Sequence, residues 1–312
     1  MRVLFLDHAT IYGGRQVMAD RLLPLLRARG LDIESLVGCE RLEGDPIPTT
    51  YRGLRRAMAG YDLVYANSPR TAIAAATTRR PFLWHKHDVR MTWATRWAAR
   101  RARCVVSVCR AGAPEGEHVR IVPNGVPTME SRPARDLPPG PKVLLLGRVQ
   151  REKGHDLAMD ALSRMRRAAS LVVAGPGEWP FAERRNVVFL GLRDDVAALM
   201  CACDAVVVPS RIQEACPLVV LEAQAAGVPL VATRVGGIPE IVREKETAFL
   251  VEPENTDDLA LALDAALEVD RVSWSAAARA HAQDFTLSAC ADRIAEALHS
   301  CQSSVESCRS SD

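Results

Sequence analysis

Short runs that are apolar throughout alternate with helical patterns along the whole of this chain, and that alternation constrains the fold more than any other feature. Residues 3–6, 33–37, 63–66, 82–84, 105–108 and 119–122 read as strands, and 19–29, 71–79 and 92–103 as helices. Strands that are apolar on both faces, separated by helices, argue for a parallel sheet covered on both sides. Residues 127–141 then bring Pro127, Pro133, Pro138, Pro139 and Pro141 without periodicity, which reads as a linker. A second alternation follows, with strands at 143–146, 171–174, 187–190, 205–208, 230–232 and 249–251. Its helices fall at 157–165, 196–201, 218–226, 259–267 and 289–299. The halves open alike. Strand 3–6 leads through Gly13 and Gly14 into a helix, and strand 143–146 leads through Gly147 and Gly154 into another. The expectation is an α/β chain of two Rossmann-like domains with parallel sheets facing across an interdomain cleft. The domains are placed at 1–126 and 142–284, with 127–141 between them. Residues 302–312 are Ser-rich and polar, and are expected to be disordered.

With 312 residues, 48% apolar, the chain is long enough for two cores. A formal net charge of +2 gives no pull toward nucleic acid. Only four of the 40 basic residues are lysines, at 86, 142, 153 and 245, so each lysine position carries information. The nine cysteines contain no Cys-x-x-Cys pair, and no clustered histidines complete a zinc site. They read as small buried residues of a reducing cytosol. An acid, Asp7, arrives before a signal-peptide core can form, and no apolar run approaches the ~20 residues that span a membrane. A cytoplasmic location is the expectation.

Three loops after strands carry the chemistry. Glu214 lies in the loop after strand 205–208, and Glu222 lies about one and a half turns into the next helix, which Pro217 is expected to open as its first residue. Two acids at the carboxyl edge of an α/β sheet could hold the hydroxyls of a sugar and of a ribose. Capping or solvated acids would look the same. In the loop 147–154, Gly147 permits a sharp turn, and Arg148 and Lys153 add cations near a helix N-terminus. Together these suit a diphosphate, although a surface loop with solvated cations has the same composition. Gly236 and Gly237, after strand 230–232, permit a tight turn and close approach to a ligand, or a plain turn. No two aspartates are separated by a single residue, so an Asp-x-Asp metal clamp is lacking and a metal-free site is expected.

These motifs, with Leu221, Glu222 and Ala223, the run from Gly227 to Ala232, and Gly236, Gly237 and Glu240, occur in the order of a known family. The chain resembles the family 4 retaining glycosyltransferases, of GT-B fold. Pro123, Asn124, Gly125 and Val126 are similar to that family's interdomain turn, and Gly13, Gly14 and the segment 85–88 to its N-terminal landmarks. The resemblance implies a hexosyltransferase-type enzyme that uses a nucleotide-diphosphate sugar as co-substrate, with no cofactor. It implies that Arg148 and Lys153, with Gly13 and Gly14, hold the donor diphosphate. Glu222 would bind the ribose and Glu214 the transferred sugar, with Cys216 and Leu218 beside them. A histidine near the anomeric carbon is implied, and His85 and His87 are both candidates. Two residues apart, they are expected to face opposite ways on a strand, and His87 is preferred because Asp88 follows it. The resemblance also implies that the helix within 285–301 crosses back to the N-terminal domain. Cys216 and Pro217 depart from the family's Phe-Gly. Proline has no N–H, so one backbone donor is lost there.

Trp93 and Trp97 sit four apart among Arg96, Arg100, Arg101 and Arg103. A core-packing helix with a solvated arginine face is expected. The sharper alternative is weak peripheral contact with anionic lipid, which would place the protein at the inner face of the membrane. The acceptor is unknown. Two other functions share these features: a nucleotide-sugar 2-epimerase and a non-catalytic sugar-nucleotide-binding partner subunit.

Overall fold

The computed structural model describes residues 1–309 apart from 12, 49, 79, 130, 131 and 136, with side chains to residue 301. The chain divides into two compact units, Met1–Gly125 with Leu287–Asp312, and Val126–Thr286.

The first unit holds β1 (Arg2–Asp7), α1 (Gly14–Ala28), β2 (Asp32–Val37), β3 (Asp45–Pro46), α2 (Tyr51–Met58), β4 (Leu63–Ala66), α3 (Pro69–Thr77), β5 (Phe82–Lys86), α4 (Trp93–Ala99), β6 (Cys104–Ser107) and β7 (Val119–Ile121). Its sheet runs β3-β2-β1-β4-β5-β6-β7, parallel throughout. Val3 stands beside Ile33 on one side and Leu63 on the other. The core gathers Leu4, Leu6, Trp84 and Val105 from the sheet against Ala72 and Ala75 of α3. The small alanines let the helix lie close to the strands. Fully burying each Leu or Val contributes about 1.5–3 kcal/mol. Ser68 starts α3 by accepting the Thr71 N–H, and Pro69 follows as the first helical residue.

The second unit repeats the plan with β8 (Lys142–Leu146), α5 (His155–Arg164), β9 (Ser170–Ala174), β10 (Val187–Phe189), α6 (Val196–Ala202), β11 (Ala205–Val208), α7 (Leu218–Ala226), β12 (Leu230–Thr233), β13 (Phe249–Val251), α8 (Thr256–Ala266) and α9 (Arg271–Ala282). Its parallel sheet runs β10-β9-β8-β11-β12-β13. Val143, Leu145, Val173, Val207 and Val231 form its centre. Residues of the expected linker pack within this unit: the Ala134 amide donates to the Ala198 carbonyl at 2.9 Å, and the Cys201 thiol meets the Met129 carbonyl. Met129 is buried.

The last helix, α10 (Leu287–Arg309), belongs to the first unit, where Ile294 and Leu298 are fully buried. It runs through the segment expected to be disordered as far as Arg309; residues 310–312 lie outside the described residues. Extending a helix that is already nucleated costs little, and the polar composition of 302–309 does not oppose it.

Candidate functional site

In both sheets the strand order reverses next to the first strand, between β1 and β4 and between β8 and β11. Loops at such a switch point splay apart and leave a crevice at the carboxyl ends of the strands. In the second unit the flanking loops are 147–154 and 209–217, the two that carry the expected cations and the first glutamate.

Lys153 ends a single 3-10 turn, Arg151–Lys153, and its Nζ lies 2.5 Å from Glu214 Oε1. Ser210 Oγ donates to the same carboxylate oxygen at 2.8 Å. Lys153, Ser210, Glu214 and Pro217 line one small cavity, floored by Leu145 and Val207. Arg148 is exposed and has no hydrogen-bond or ion-pair partner among the described residues. Glu222 sits in the second turn of α7 and is buried. Arg148 and Glu222 do not line that cavity. Cys216 is buried and Leu218 half-buried. Pro217 is the residue before α7, not its first residue, so the helix opens at Leu218.

Two glycines have roles that the sequence did not reveal. Gly236 has φ +55°, and a Cβ on it would lie 1.9 Å from the Glu214 carbonyl oxygen. The Gly237 N–H donates to that same oxygen at 2.8 Å. The close approach read for this turn is therefore to the backbone of Glu214, which it fixes in place. Gly154 has φ +70° and packs on the Pro209 carbonyl, where a Cβ would come within 2.0 Å.

Sequence reasoning also missed Arg211. Its guanidinium pairs with both oxygens of Asp156, at 2.5 and 2.8 Å, and with Glu254 at 2.7 Å. It also donates to the Arg151 carbonyl at 3.0 Å. This side chain ties the Lys153 loop to the Glu214 loop, and its hydrogen bonds hold the Asp156 carboxyl below the usual carboxylate range.

In the first unit, Asp7, Asn67 and His87 form a chain at the carboxyl edge of the sheet. Asp7 accepts from Gln16 Nε2 at 2.9 Å, from Asn67 Nδ2 at 2.8 Å and from Arg15. Because the Asn67 amide donates to Asp7, its Oδ1 must accept, so His87 Nε2, 2.8 Å away, carries the proton. His87 Nδ1 then presents a lone pair, with no hydrogen-bond partner among the described residues. Burial, His85, Arg15 and Lys86 hold His87 well below the ordinary histidine pKa. His85 is fully buried in β5, bonded through Nδ1 to the Tyr65 hydroxyl at 2.7 Å, and burial lowers it to about 3.

The two imidazoles do not face opposite ways. Their ring centroids are 3.9 Å apart, because residues two apart on an extended chain share a face. Lys86, between them, points to the other side and is fully buried, donating to Asp88 and to the Arg90 carbonyl. Gly13 precedes α1 and Gly14 begins it. A Cβ on Gly13 would meet nothing closer than Gln16 Oε1 at 3.7 Å, so packing does not demand glycine there.

The Trp93/Trp97 pair does not present a shared aromatic face. Trp97 packs against the core under Arg101, whose guanidinium carbon lies 4.4 Å from its ring centroid. Trp93 alone is exposed. No helix of the described residues is long and apolar enough to cross a membrane.

Residues 140–268 match the family of group 1 glycosyl transferases, the segment that holds Arg148, Lys153, Glu214 and Glu222. This match lies within the second unit and covers less than half of the chain. Among curated proteins, it is 36% identical over 167 residues to a D-inositol 3-phosphate glycosyltransferase of Mycobacteroides abscessus, covering 49% of this chain and 38% of that protein. It is 35% identical over 138 residues to an uncharacterized glycosyltransferase of Methanocaldococcus jannaschii, covering 40% and 35%. The matches thus span well under half the length of these relatives. Among solved structures, Anabaena HepE in complex with UDP-glucose superimposes with a TM-score of 0.83 at 23% identity, covering 96% of this chain and 100% of that one. A sucrose-phosphate synthase from Thermosynechococcus elongatus gives 0.82 at 20% identity, covering 97% and 100%. The architecture is GT-B, with two Rossmann-like sheets.

Proposed function

We propose that this chain is a glycosyltransferase that moves a sugar from a nucleotide-diphosphate donor to an acceptor hydroxyl, with retention and without a metal. The contact of Lys153, Ser210 and Glu214 at the β8–β11 switch point, inside the family segment, carries the reading. An ammonium aimed at a departing diphosphate supplies electrostatic stabilisation where charge develops. Glu214 beside it can accept from sugar hydroxyls while keeping the lysine in place. Arg148, without a partner among the described residues, adds a second cation for the diphosphate. Glu222 is assigned to the ribose. His87 is assigned to the reacting sugar in preference to His85. Both rings keep one buried nitrogen without a partner among the described residues, but His87 lies past the end of β5, whereas His85 is enclosed within that strand. Gly13 and Gly14 are assigned to the diphosphate, which would have to displace Gln16 Oε1 from the Gly13 N–H, 3.2 Å away.

The UDP-glucose complex of HepE makes a uridine nucleotide the first donor to try. The test is a thermal-shift screen of UDP-, GDP-, ADP- and TDP-sugars with and without EDTA, followed by NMR of the anomeric proton of the product. A donor at 100 times its Kd adds about 2.7 kcal/mol to apparent stability. Lys153→Ala and Glu214→Ala are each expected to lower kcat/KM by about 100-fold or more. Unchanged transfer in both would remove the site assignment. Epimerised donor formed without an acceptor would point to the 2-epimerase instead.

A further inference from the structure

The last helix, α10, packs on β5 and β6 of the first unit. Cys290, Ile294, Leu298 and Cys301 recur along it at helical spacing and are all buried, so this stripe faces the sheet. On β6, Val105 joins the core beside α3, and strand alternation turns Cys104 to the opposite face, the side on which α10 lies. Cys104 and Cys301 meet there. Both are buried, and the Cys301 thiol is hydrogen-bonded to the Cys104 sulfur. A neighbouring contact holds the same stretch of the helix, because Arg120 of β7 donates to Ser300 Oγ at 3.1 Å. The two thiols are not alike. The hydrogen bond from Cys301 and the Arg120 guanidinium lower the Cys104 pKa against the effect of burial, while the same hydrogen bond and burial raise that of Cys301. Burial pushes the Cys203 and Cys290 thiols up to about 12, so they stay protonated. Since the thiolate is the reacting form, Cys104 is the sulfur poised to attack and Cys301 the one placed to answer it.

We propose that Cys104 and Cys301 are a site of reversible oxidation, where a peroxide converts the thiol contact into a disulfide that latches α10 to β6. The Cys104 thiolate attacks one oxygen of the peroxide. The O–O bond breaks, and the hydroxide released takes up the proton that Cys104 lost and leaves as water. Cys104 is then a sulfenic acid. The Cys301 sulfur attacks the Cys104 sulfur, the S–S bond forms as the S–O bond breaks, and a second water leaves with the Cys301 proton. The two thiols give up two electrons, and one hydrogen peroxide accepts them. A dithiol reductant reverses the change by exchange. Peroxide reaches the pair when the last turns of the helix open, since chain ends open far more readily than the centre of a sheet. The second unit lies wholly between the two cysteines in the chain, so the bond closes a loop that contains all of it. A cross-link stabilises chiefly by restricting the unfolded chain, and more so for a longer loop. The oxidised chain therefore holds its last helix more firmly on the first unit than the reduced chain does.

Oxidation of the full chain tests this. After reduction and exposure to dilute hydrogen peroxide, the chain is expected to lose the mass of two hydrogens. Digestion without reductant is expected to yield a cross-linked peptide that joins Cys104 to Cys301. The thermal transition in which the first unit unfolds is expected to rise by about 5 °C or more and to return with dithiothreitol. Cys301→Ala is expected to abolish both changes and to leave Cys104 as a sulfenic acid that dimedone labels. Should that variant fold poorly, the mass and the peptide map of the wild type decide by themselves. No oxidation of the pair, a disulfide from either cysteine to Cys290 or Cys308 instead, or a sulfinic acid at Cys104 without a disulfide overturns the proposal. A Cys104–Cys301 disulfide that leaves the transition unmoved overturns the latch.

Discussion

Gly236 and Glu214 lie in different loops, yet the first is a condition for the second. The missing Cβ lets the turn after β12 lie directly on the Glu214 backbone, and a methyl group there would come 1.9 Å from the carbonyl oxygen. Gly236→Ala is therefore expected to destabilise the second unit by about 1–3 kcal/mol, from left-handed backbone strain and forced displacement of the loop. Urea denaturation measures the first effect, and weakened donor binding reports the second. Stability within 0.5 kcal/mol of wild type would mean that the loops separate without cost. The same reasoning separates the histidines. His85, lowered to about 3, binds a proton far more readily unfolded than folded. A depressed histidine contributes stability that is complete above its unfolded pKa near 6.5 and is lost as pH falls toward 3. The loss approaches about 1.4 kcal/mol per pH unit well inside that window. His85→Gln keeps a hydrogen-bonding group for Tyr65 but does not titrate. Its stability is expected to fall less steeply than that of wild type between pH 6.5 and 4.5, and parallel slopes would assign the acid sensitivity elsewhere.

At the scale of elements, the strands were legible because burial on both faces leaves an unbroken apolar run. The helices that escaped notice lack that signal. In α2, Arg52, Arg55 and Arg56 fill the pattern and only Met58 is buried. In α9 the buried face is Trp274 with alanines and His281, too small and mixed to stand out as a stripe. The two-residue β3 is too short to have any period. The site was legible to the same degree. The cations and Glu214 could be placed because they follow apolar strands, whereas Arg211 and the Asp7–Asn67–His87 chain depend on contacts between residues 55 and 60 positions apart. Only the fold brings those together. Two measurements probe the elements themselves. Ile294→Ala, which removes a fully buried side chain of α10, is expected to cost about 2–5 kcal/mol in the first unit. For α4, with Trp97 in the core and Trp93 alone outside, wild type and Trp93→Ala are expected to sediment equally with anionic vesicles. A loss of binding in the variant would restore the interfacial role.

The whole molecule is two cores on one chain, with the last helix returning to the first of them. Each unit has its own sheet and apolar centre, so a single all-or-none transition is not required. The proposed site residues are divided in the same way. His85 and His87 belong to the first unit, and Arg148, Lys153, Glu214 and Glu222 to the second. Two perturbations should therefore act on different transitions in calorimetry. Lowering the pH from 7 to 5 enters the window in which His85 and His87 lose their contribution, so the transition of the first unit should move down. Adding a nucleotide-sugar at pH 7 stabilises the state that binds it, so the transition of the second unit should move up. Lys153→Ala should abolish the second shift and leave the first, while His85→Gln should reduce the first and leave the second. One transition that moves with both perturbations would show that the two cores unfold as a single cooperative body.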